Sequence, residues 1–481
     1  MPVDDLTFSS FLVQTDCKLM LRTAIYQRLP VSARRGWARV DTSALAARLM
    51  RGTFWSLAGT AISQGLALAA SMAVARTLGK VGFGEFGILQ STTGMFSVFA
   101  GFGLGLTSTK YVAEFRTKDP VKASRIMTLS AVVAWVTSAI AAAALWIAAP
   151  WLAQRTLAAP HLTPELRLSC LLVLLGGVNG AQKGALGGFE SFRTLAQVNL
   201  LTGLAGFPLL VLSAWTWGLA GAVWGLVASL AVSVLLNNLA LRKESARAGV
   251  PLLATGWARE RDVLWKFSLP ALLTGVAAMP VYWICSAILV RQPQGYSHLA
   301  VFTAAFGWRQ IVLLVPGSLG AALTPVLAAL HGDADGRRFR QLVWRSAAVS
   351  AALALAAAAP LALLSPFIMA AYGPGFRSGG PVLLLIAMVA VLMAVVAVLC
   401  QTLGASGRNW LSFGITVLWG GITVALMLAF RKAGATGFAT AVLLSHVVHL
   451  CTNALCVRFC VTPTTRSTPE RPVSVQDTGS L

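Results

Sequence analysis

About twelve times along this chain, a run of some 20 predominantly apolar residues passes with almost no charge. A helix needs about 20 such residues to cross the hydrocarbon core of a bilayer, and lipid offers the backbone no hydrogen-bonding partner. A chain built this way can only be a bundle of membrane-spanning helices. The runs lie near 52–75, 86–109, 126–148, 166–189, 194–214, 217–241, 263–290, 298–327, 341–364, 380–403, 409–430 and 434–457. Pro208, Pro280 and Pro316 interrupt three of them, which bundled helices tolerate because their neighbours satisfy the freed backbone groups. Charged residues make up only 11% of the chain, against about 25% in soluble proteins. That excludes a large soluble enzyme with a solvated shell.

The net charge of +22 suggests either nucleic acid or a membrane surface. Loop positions decide between them. With the N-terminus in the cytoplasm, and counting Arg167, Lys266 and Arg345 at the ends of their runs with the adjoining loops, 28 of the 38 Lys and Arg fall in cytoplasmic segments and 8 outside, which leaves Lys183 and Arg309 inside the membrane. This is the positive-inside pattern. It predicts a multi-pass membrane protein with both termini cytoplasmic, and it leaves no charge that calls for nucleic acid.

The expected organisation is a basic cytoplasmic extension (1–50), a six-helix lobe (51–241), a basic linker (242–262), a second six-helix lobe (263–460) and a disordered tail (461–481). Residues 1–50 contain no apolar core followed by a small-residue cleavage site, which argues against a signal peptide. The Arg-rich stretch 19–50 suits a membrane surface. Alternatively the stretch before Met50 is a start-site artefact, since Met50-Arg51-Gly52-Thr53 reads as a natural beginning.

Three short patterns recur at a near-constant interval. Gly82-Phe83-Gly84-Glu85-Phe86 matches Gly295-Tyr296-Ser297-His298-Leu299. Leu186-Gly187-Gly188 with Arg193 matches Leu403-Gly404-Ala405 with Arg408. Gly218-Leu219-Ala220-Gly221 matches Gly434-Ala435-Thr436-Gly437. A shared order and spacing point to duplication. Six helices per half preserve orientation, so the repeats are parallel. The fold class expected is all-α: about 12 transmembrane helices in two parallel six-helix lobes around a central cavity.

Chemistry is defined largely by absence. The chain has no phosphate-binding GxxxxGK[ST] loop, no HExxH and no GxSxG. No cofactor or metal is called for, and the seven cysteines include no CxxC pair. All 16 acidic residues lie outside the spans or at their ends. His446 and His449 share a helix face at i, i+3 without an evident third ligand, which fits packing or polar contact.

The cations within the spans therefore stand out. Arg309 lies about 11 residues, roughly 16 Å, into its helix, where an unpaired charge is costly and usually faces a polar cavity. Lys183 shares a face with Gly176, Asn179, Gly180 and Gly187, which suits helix contact. It either lines a cavity or snorkels to the interface. Arg76 and Lys110 read as interface anchors or as further ligand contacts. Gln64, Gln90 and Asn179 are polar cavity lining or helix–helix hydrogen-bonding groups. A cationic cavity without carboxylates favours an anion, and guanidinium suits phosphate. An inside-negative potential draws two negative charges outward with about 4–5 kcal/mol at 100 mV.

At this point the chain resembles a known family. Ala75-Arg76-Thr77-Leu78-Gly79 followed by Gly82-Phe83-Gly84-Glu85-Phe86, with the Gly218/Gly221 and Gly434/Gly437 turns, is similar to the pattern of polysaccharide repeat-unit flippases of the Wzx type. These belong to the multidrug/oligosaccharidyl-lipid/polysaccharide exporter superfamily. The resemblance covers about residues 50–460. It implies alternating-access transfer of an undecaprenyl-pyrophosphate-linked oligosaccharide across the inner membrane for O-antigen or exopolysaccharide synthesis. Its partners would be membrane lipids and polysaccharide polymerase and export machinery. An ion-coupled multidrug or metabolite exporter is the alternative within the superfamily, although such exporters typically carry membrane carboxylates. A membrane-embedded polymerase or ligase is a third reading, and the short external loops near 149–165 and 365–379 speak against it.

Overall fold

The computed structural model describes residues 44–101, 103–263, 278–332 and 336–460. Most of the N-terminal extension, the tail and the first half of the 263–290 run lie outside the described residues. Among the described residues every regular element is helical.

We number the helices α1 Ala44–Gly101, α2 Leu104–Phe115, α3 Pro120–Trp151, α4 Thr163–Leu168, α5 Cys170–Gly188, α6 Phe192–Ala248, α7 Ala278–Val290, α8 Gly295–Gly307, α9 Arg309–Gly332, α10 Gly336–Leu363, α11 Ser365–Ala371, α12 Gly380–Ala405, α13 Asn409–Phe430 and α14 Gly434–Cys460. An unbroken α1 or α6 of 58 or 57 residues would be about 86 Å long, nearly three times the hydrocarbon thickness. Each instead divides into two arms. α1 turns at Gly79 (φ 71°, ψ −178°), and Ala70 and Ser71 before the turn share one cavity wall with Phe86 and Gln90 after it. α6 turns at Trp217-Gly218, where Gly221 returns against the Ser213 carbonyl with no room for a Cβ. Counting arms, and joining α1's second arm to α2, α4 to α5, and α8 to α9, every one of the twelve apolar runs is occupied by helix, that at 263–290 from Ala278 onward.

The sequence matches reappear as matched backbone. Gly218 has φ 59° and ψ −134°, and Gly434 has φ 61° and ψ −134°. This region is accessible only to glycine. The turns after α5 and α12 also correspond. Glu190 N donates to Gly187 O and Ser191 N to Leu186 O, while Gly407 N donates to Gly404 O and Arg408 N to Leu403 O. The backbone thus aligns Arg408 with Ser191, not with Arg193 as the side-chain pattern suggested, because hydrogen-bond geometry fixes register where two exposed arginines do not.

α6 continues past the apolar run that ends at 241, as far as Ala248. Its polar end is supported on its own surface, with Arg247 paired to Glu244 at 3.1 Å and Arg242 donating to Asn238 at 2.9 Å. The linker then folds back on α3, where Ala254 N donates to Thr128 Oγ1 at 3.0 Å.

The halves meet at one end. Arg76 Nε donates to Ala371 O at 2.8 Å, Tyr296 Oη to Leu157 O at 2.9 Å and Trp283 Nε1 to Thr92 Oγ1 at 3.0 Å. Phe83 packs its ring 5.9 Å from Phe376 and 6.1 Å from Tyr372. Gly84 lies so close to the Tyr296 backbone that no Cβ fits. The largest apolar cluster draws on both halves around these contacts. Toward the opposite end the clusters separate: one holds Val112, Ala123, Met127, Ala185, Phe189 and Val250, the other Phe339, Val343, Leu399, Leu403, Ile415 and Val457.

Two expectations follow. Gly218→Ala should lower stability by about 1–3 kcal/mol through backbone strain alone, because a Cβ there meets nothing within 4 Å. Gly434→Ala should cost more, since its Cβ would also lie 2.6 Å from His298 Nδ1. Melting temperatures of the two purified variants give the order; equal values would sink the distinction. Second, Gly84→Ala should push the joined ends apart. Spin labels at the exposed positions 155 and 377, on a cysteine-depleted background, should report a longer distance than in the unsubstituted protein.

Candidate functional site

The apolar run 298–327 contains a tightened turn. α8 ends at Gly307 and α9 begins at Arg309, with Trp308 between them. Trp308 keeps helical dihedrals (φ −68°, ψ −21°), and the backbone narrows to i→i+3 bonds, Trp308 N donating to Ala305 O and Ile311 N to Trp308 O. A 3₁₀ stretch inside a helix often marks a functional site or strain. The partly buried cation lies at this turn. Arg309 Nη1 donates to Phe306 O at 2.7 Å, and the guanidinium lies 3.5 Å from the centre of the Phe306 ring. Both the carbonyl end of α8 and the ring face favour a cation. No carboxylate among the described residues pairs with Arg309, and one bond leaves most of its five-donor fork open.

Around it stands an aromatic cluster from four helices. The Tyr282 ring of α7 lies 4.9 Å from Phe306 and 5.9 Å from Trp419 of α13. Trp419 in turn contacts His446 and His449 of α14, at 5.1 and 5.4 Å. His446 Nδ1 bonds the Val442 carbonyl at 2.8 Å. Tyr282 Oη, Trp419 Nε1 and both ring nitrogens of His449 are buried without a partner among the described residues. Unpaired buried polar groups are rare and call for an explanation. Arg, Tyr and Trp all present donors, the complement of an anion.

The other predicted site residues are dispersed. Arg76 stands at the junction of the halves, three residues from the Gly79 turn, bonded to Ala371. Lys110 is exposed on α2, with its ammonium 4.9 Å from the Tyr111 ring. Lys183 is half-buried on α5. Asn179, one turn before it, accepts from Asn237 Nδ2 at 2.8 Å and Ser233 Oγ at 3.1 Å, tying α5 to α6. Two of the glycines on the face of Lys183 are loosely covered, since a Cβ at Gly180 would meet nothing within 4 Å and one at Gly176 only Ser97 Oγ at 3.8 Å; the close approach to α2 is made by Gly184, which backs onto Gly105. Gln64 is half-buried on the first arm of α1, and Gln90 lines a cavity with Ser63, Thr202 and Ser229. The structure therefore separates Arg309 from Arg76 and Lys110, which occupy opposite ends of the first hairpin. It surrounds Arg309 instead with Phe306, Tyr282 and Trp419, which the sequence reading missed. Phe302, Phe306 and Arg309 at i, i+4, i+7 carried a signal on one helix; Trp419 and Tyr282 carried none.

The chain was then compared with known proteins. A family described as polysaccharide biosynthesis protein matches residues 49–331. The chain belongs to that family. It is 26% identical over 388 residues to the EPS I polysaccharide export inner membrane protein EpsE of Ralstonia nicotianae, covering 79% of this chain and 86% of that protein. Among solved structures, an inward-facing multidrug resistance MATE family transporter of the MOP superfamily matches with a TM-score of 0.65 at 16% identity, over 86% of this chain and 99% of that one. An outward-facing structure of such a transporter matches with 0.64 at 16% identity, over 85% and 95%. These likenesses establish the fold of this family member, a multi-pass helical bundle of the MOP type. They match both states almost equally.

Arg309 packs on the Phe306 ring, which in turn meets Tyr282. Arg309→Met keeps much of the side-chain volume and removes the charge. It should leave the protein folded but change the fluorescence of the tryptophans neighbouring this cluster, measured as an emission shift in detergent. An unchanged spectrum would argue against the contact.

Proposed function

We propose that this protein carries a lipid-linked oligosaccharide, attached through pyrophosphate, from the cytoplasmic to the outer leaflet of the inner membrane for polysaccharide export. The observation that carries this reading is the donor-rich cluster at Arg309, partly buried within an apolar span and without a paired carboxylate among the described residues. Guanidinium binds phosphate through parallel N–H···O bonds, and phenol and indole donors add orientation. Membership of a polysaccharide biosynthesis family and likeness to an export protein supply the glycan. A transporter is favoured over a polymerase or ligase on the same grounds.

In this reading residues 51–241 and 263–460 are the two lobes, joined by the linker 242–262. The loop charges favour cytoplasmic termini, and in that orientation the joined end of the halves faces outward and the separated end inward. The described state then accepts cargo from the cytoplasmic side. Arg309 receives the pyrophosphate, Lys183 on the opposite lobe offers a second positive charge, and the prenyl chain stays in lipid. Rocking about the Arg76–Ala371 and Tyr296–Leu157 contacts opens the other side. The inside-negative potential favours outward movement of the anionic head.

Deleting the gene should leave lipid-linked oligosaccharide facing the cytoplasm, detected by its resistance to external glycan-modifying enzymes in right-side-out vesicles. Arg309→Ala should reduce transfer about ten-fold or more, corresponding to loss of a charged hydrogen bond. Arg309→Lys should retain part of the activity, since charge survives while the fork is lost. Full surface-polysaccharide output from Arg309→Ala, at normal membrane levels of protein, would remove the central claim.

A further inference from the structure

A second cavity lies within the N-terminal half, between the two arms of α1 and the two arms of α6. Its volume is about 230 Å³, below the range of about 300–1,000 Å³ typical of drug-sized pockets and of the order of roughly one sugar ring. Ser63, Gln90, Thr202 and Ser229 supply polar groups, and Phe86 and Phe207 supply aromatic faces. No Lys, Arg, Asp or Glu lines it. Thr202 Oγ1 is buried with no partner among the described residues. The space depends on Gly203 and Gly206: a Cβ at Gly206 would lie 2.5 Å from Ser229 Oγ, and one at Gly203 3.1 Å from Ser63 Oγ.

The lining selects its ligand by exclusion. An anion or cation would find no countercharge. A prenyl or acyl chain would leave hydroxyls and an amide unpaired, which is unfavourable in a dry site. A neutral polyhydroxylated ring fits both aspects. Its hydroxyls exchange hydrogen bonds with Ser, Thr and Gln, each able to donate and accept, and its C–H faces pack on phenylalanine rings. The cavity also adjoins the cationic site. Leu68, beside Ala67 of the cavity wall, faces Gly307, where a Cβ would lie 3.3 Å from Leu68 Cδ2. The first arm of α1 thus touches both the cavity and the turn that precedes Arg309.

We infer that this cavity binds a neutral sugar ring of the carried oligosaccharide. The two halves then divide the cargo: the C-terminal half takes the anionic link at Arg309, and the N-terminal half reads the glycan. The inference rests on the function proposed above.

The test compares two ligands on the full-length protein in nanodiscs. One is the undecaprenyl-pyrophosphate-linked oligosaccharide extracted from producing cells; the other is undecaprenyl pyrophosphate without sugar. The unsubstituted protein should bind the glycosylated lipid about ten-fold more tightly. Thr202→Val keeps shape and removes one hydroxyl, and it should cut that preference about three- to ten-fold while leaving binding of the bare lipid in place. Ser229→Ala should act in the same direction. Arg309→Gln should weaken both lipids alike. Equal binding of the two lipids by the unsubstituted protein overturns the inference and spares the proposed function. So does a Thr202→Val protein, of normal melting temperature, that keeps the full preference or weakens both lipids equally. Failure to bind either lipid overturns the proposed function and this inference together.

Discussion

A polypeptide in hydrocarbon has no water to accept from or donate to, so each backbone group must find its partner inside the protein. The architecture follows from that constraint. It makes each apolar run a helix, and it forces reversals to the bilayer surfaces, where Gly79, Gly218 and Gly434 take up backbone conformations that side chains resist. It also makes any departure from helix at membrane depth informative. The tightened turn at Trp308 is such a departure, and the guanidinium that follows it donates to the Phe306 carbonyl. That carbonyl and the Phe306 ring partner a partly buried cation and leave most of its donors open near Tyr282, which packs on the same ring.

The second consequence concerns shape. Two halves with the same succession of turns are fastened at one end by a few hydrogen bonds, the Phe83–Tyr372–Phe376 rings and the close approach at Gly84, while the clusters toward the other end stay within one half. Few specific bonds hold this junction, and each closes on a backbone carbonyl or a single hydroxyl. That suits a contact that opens as a unit. Arg76 illustrates the point: read as a ligand contact, it is placed by the structure on the Ala371 carbonyl, where it helps set how the halves meet.

Much of the fold was legible along the chain because span length, loop charge and glycine turns are local properties. Even the duplication could be seen in Gly218-Leu219-Ala220-Gly221 and Gly434-Ala435-Thr436-Gly437, and it returned as equal φ and ψ. The site was legible only in part. Arg309 stood out because charge inside a span is rare, and Gln90 because an amide there is also uncommon. Phe306, Tyr282 and Trp419 did not, since an aromatic residue in an apolar run is ordinary until its neighbours are known. Lys110, read as an interface anchor or a further ligand contact, is exposed, whereas Arg309 is partly buried against a ring and a carbonyl.

The sequence by itself determined that the chain spans a membrane about twelve times, that the halves are related, and that acids are kept out of the spans while two cations are let in. Each of these follows from the energy of one segment in lipid or at its surface. Only the tertiary structure decided which cation sits at a tightened helix turn, which end of the two halves is closed, and which hydroxyls enclose a neutral cavity beside α1. Those outcomes depend on contacts between residues far apart in the chain, such as Arg76 with Ala371 and Gly203 with Ser63, and no local pattern encodes them.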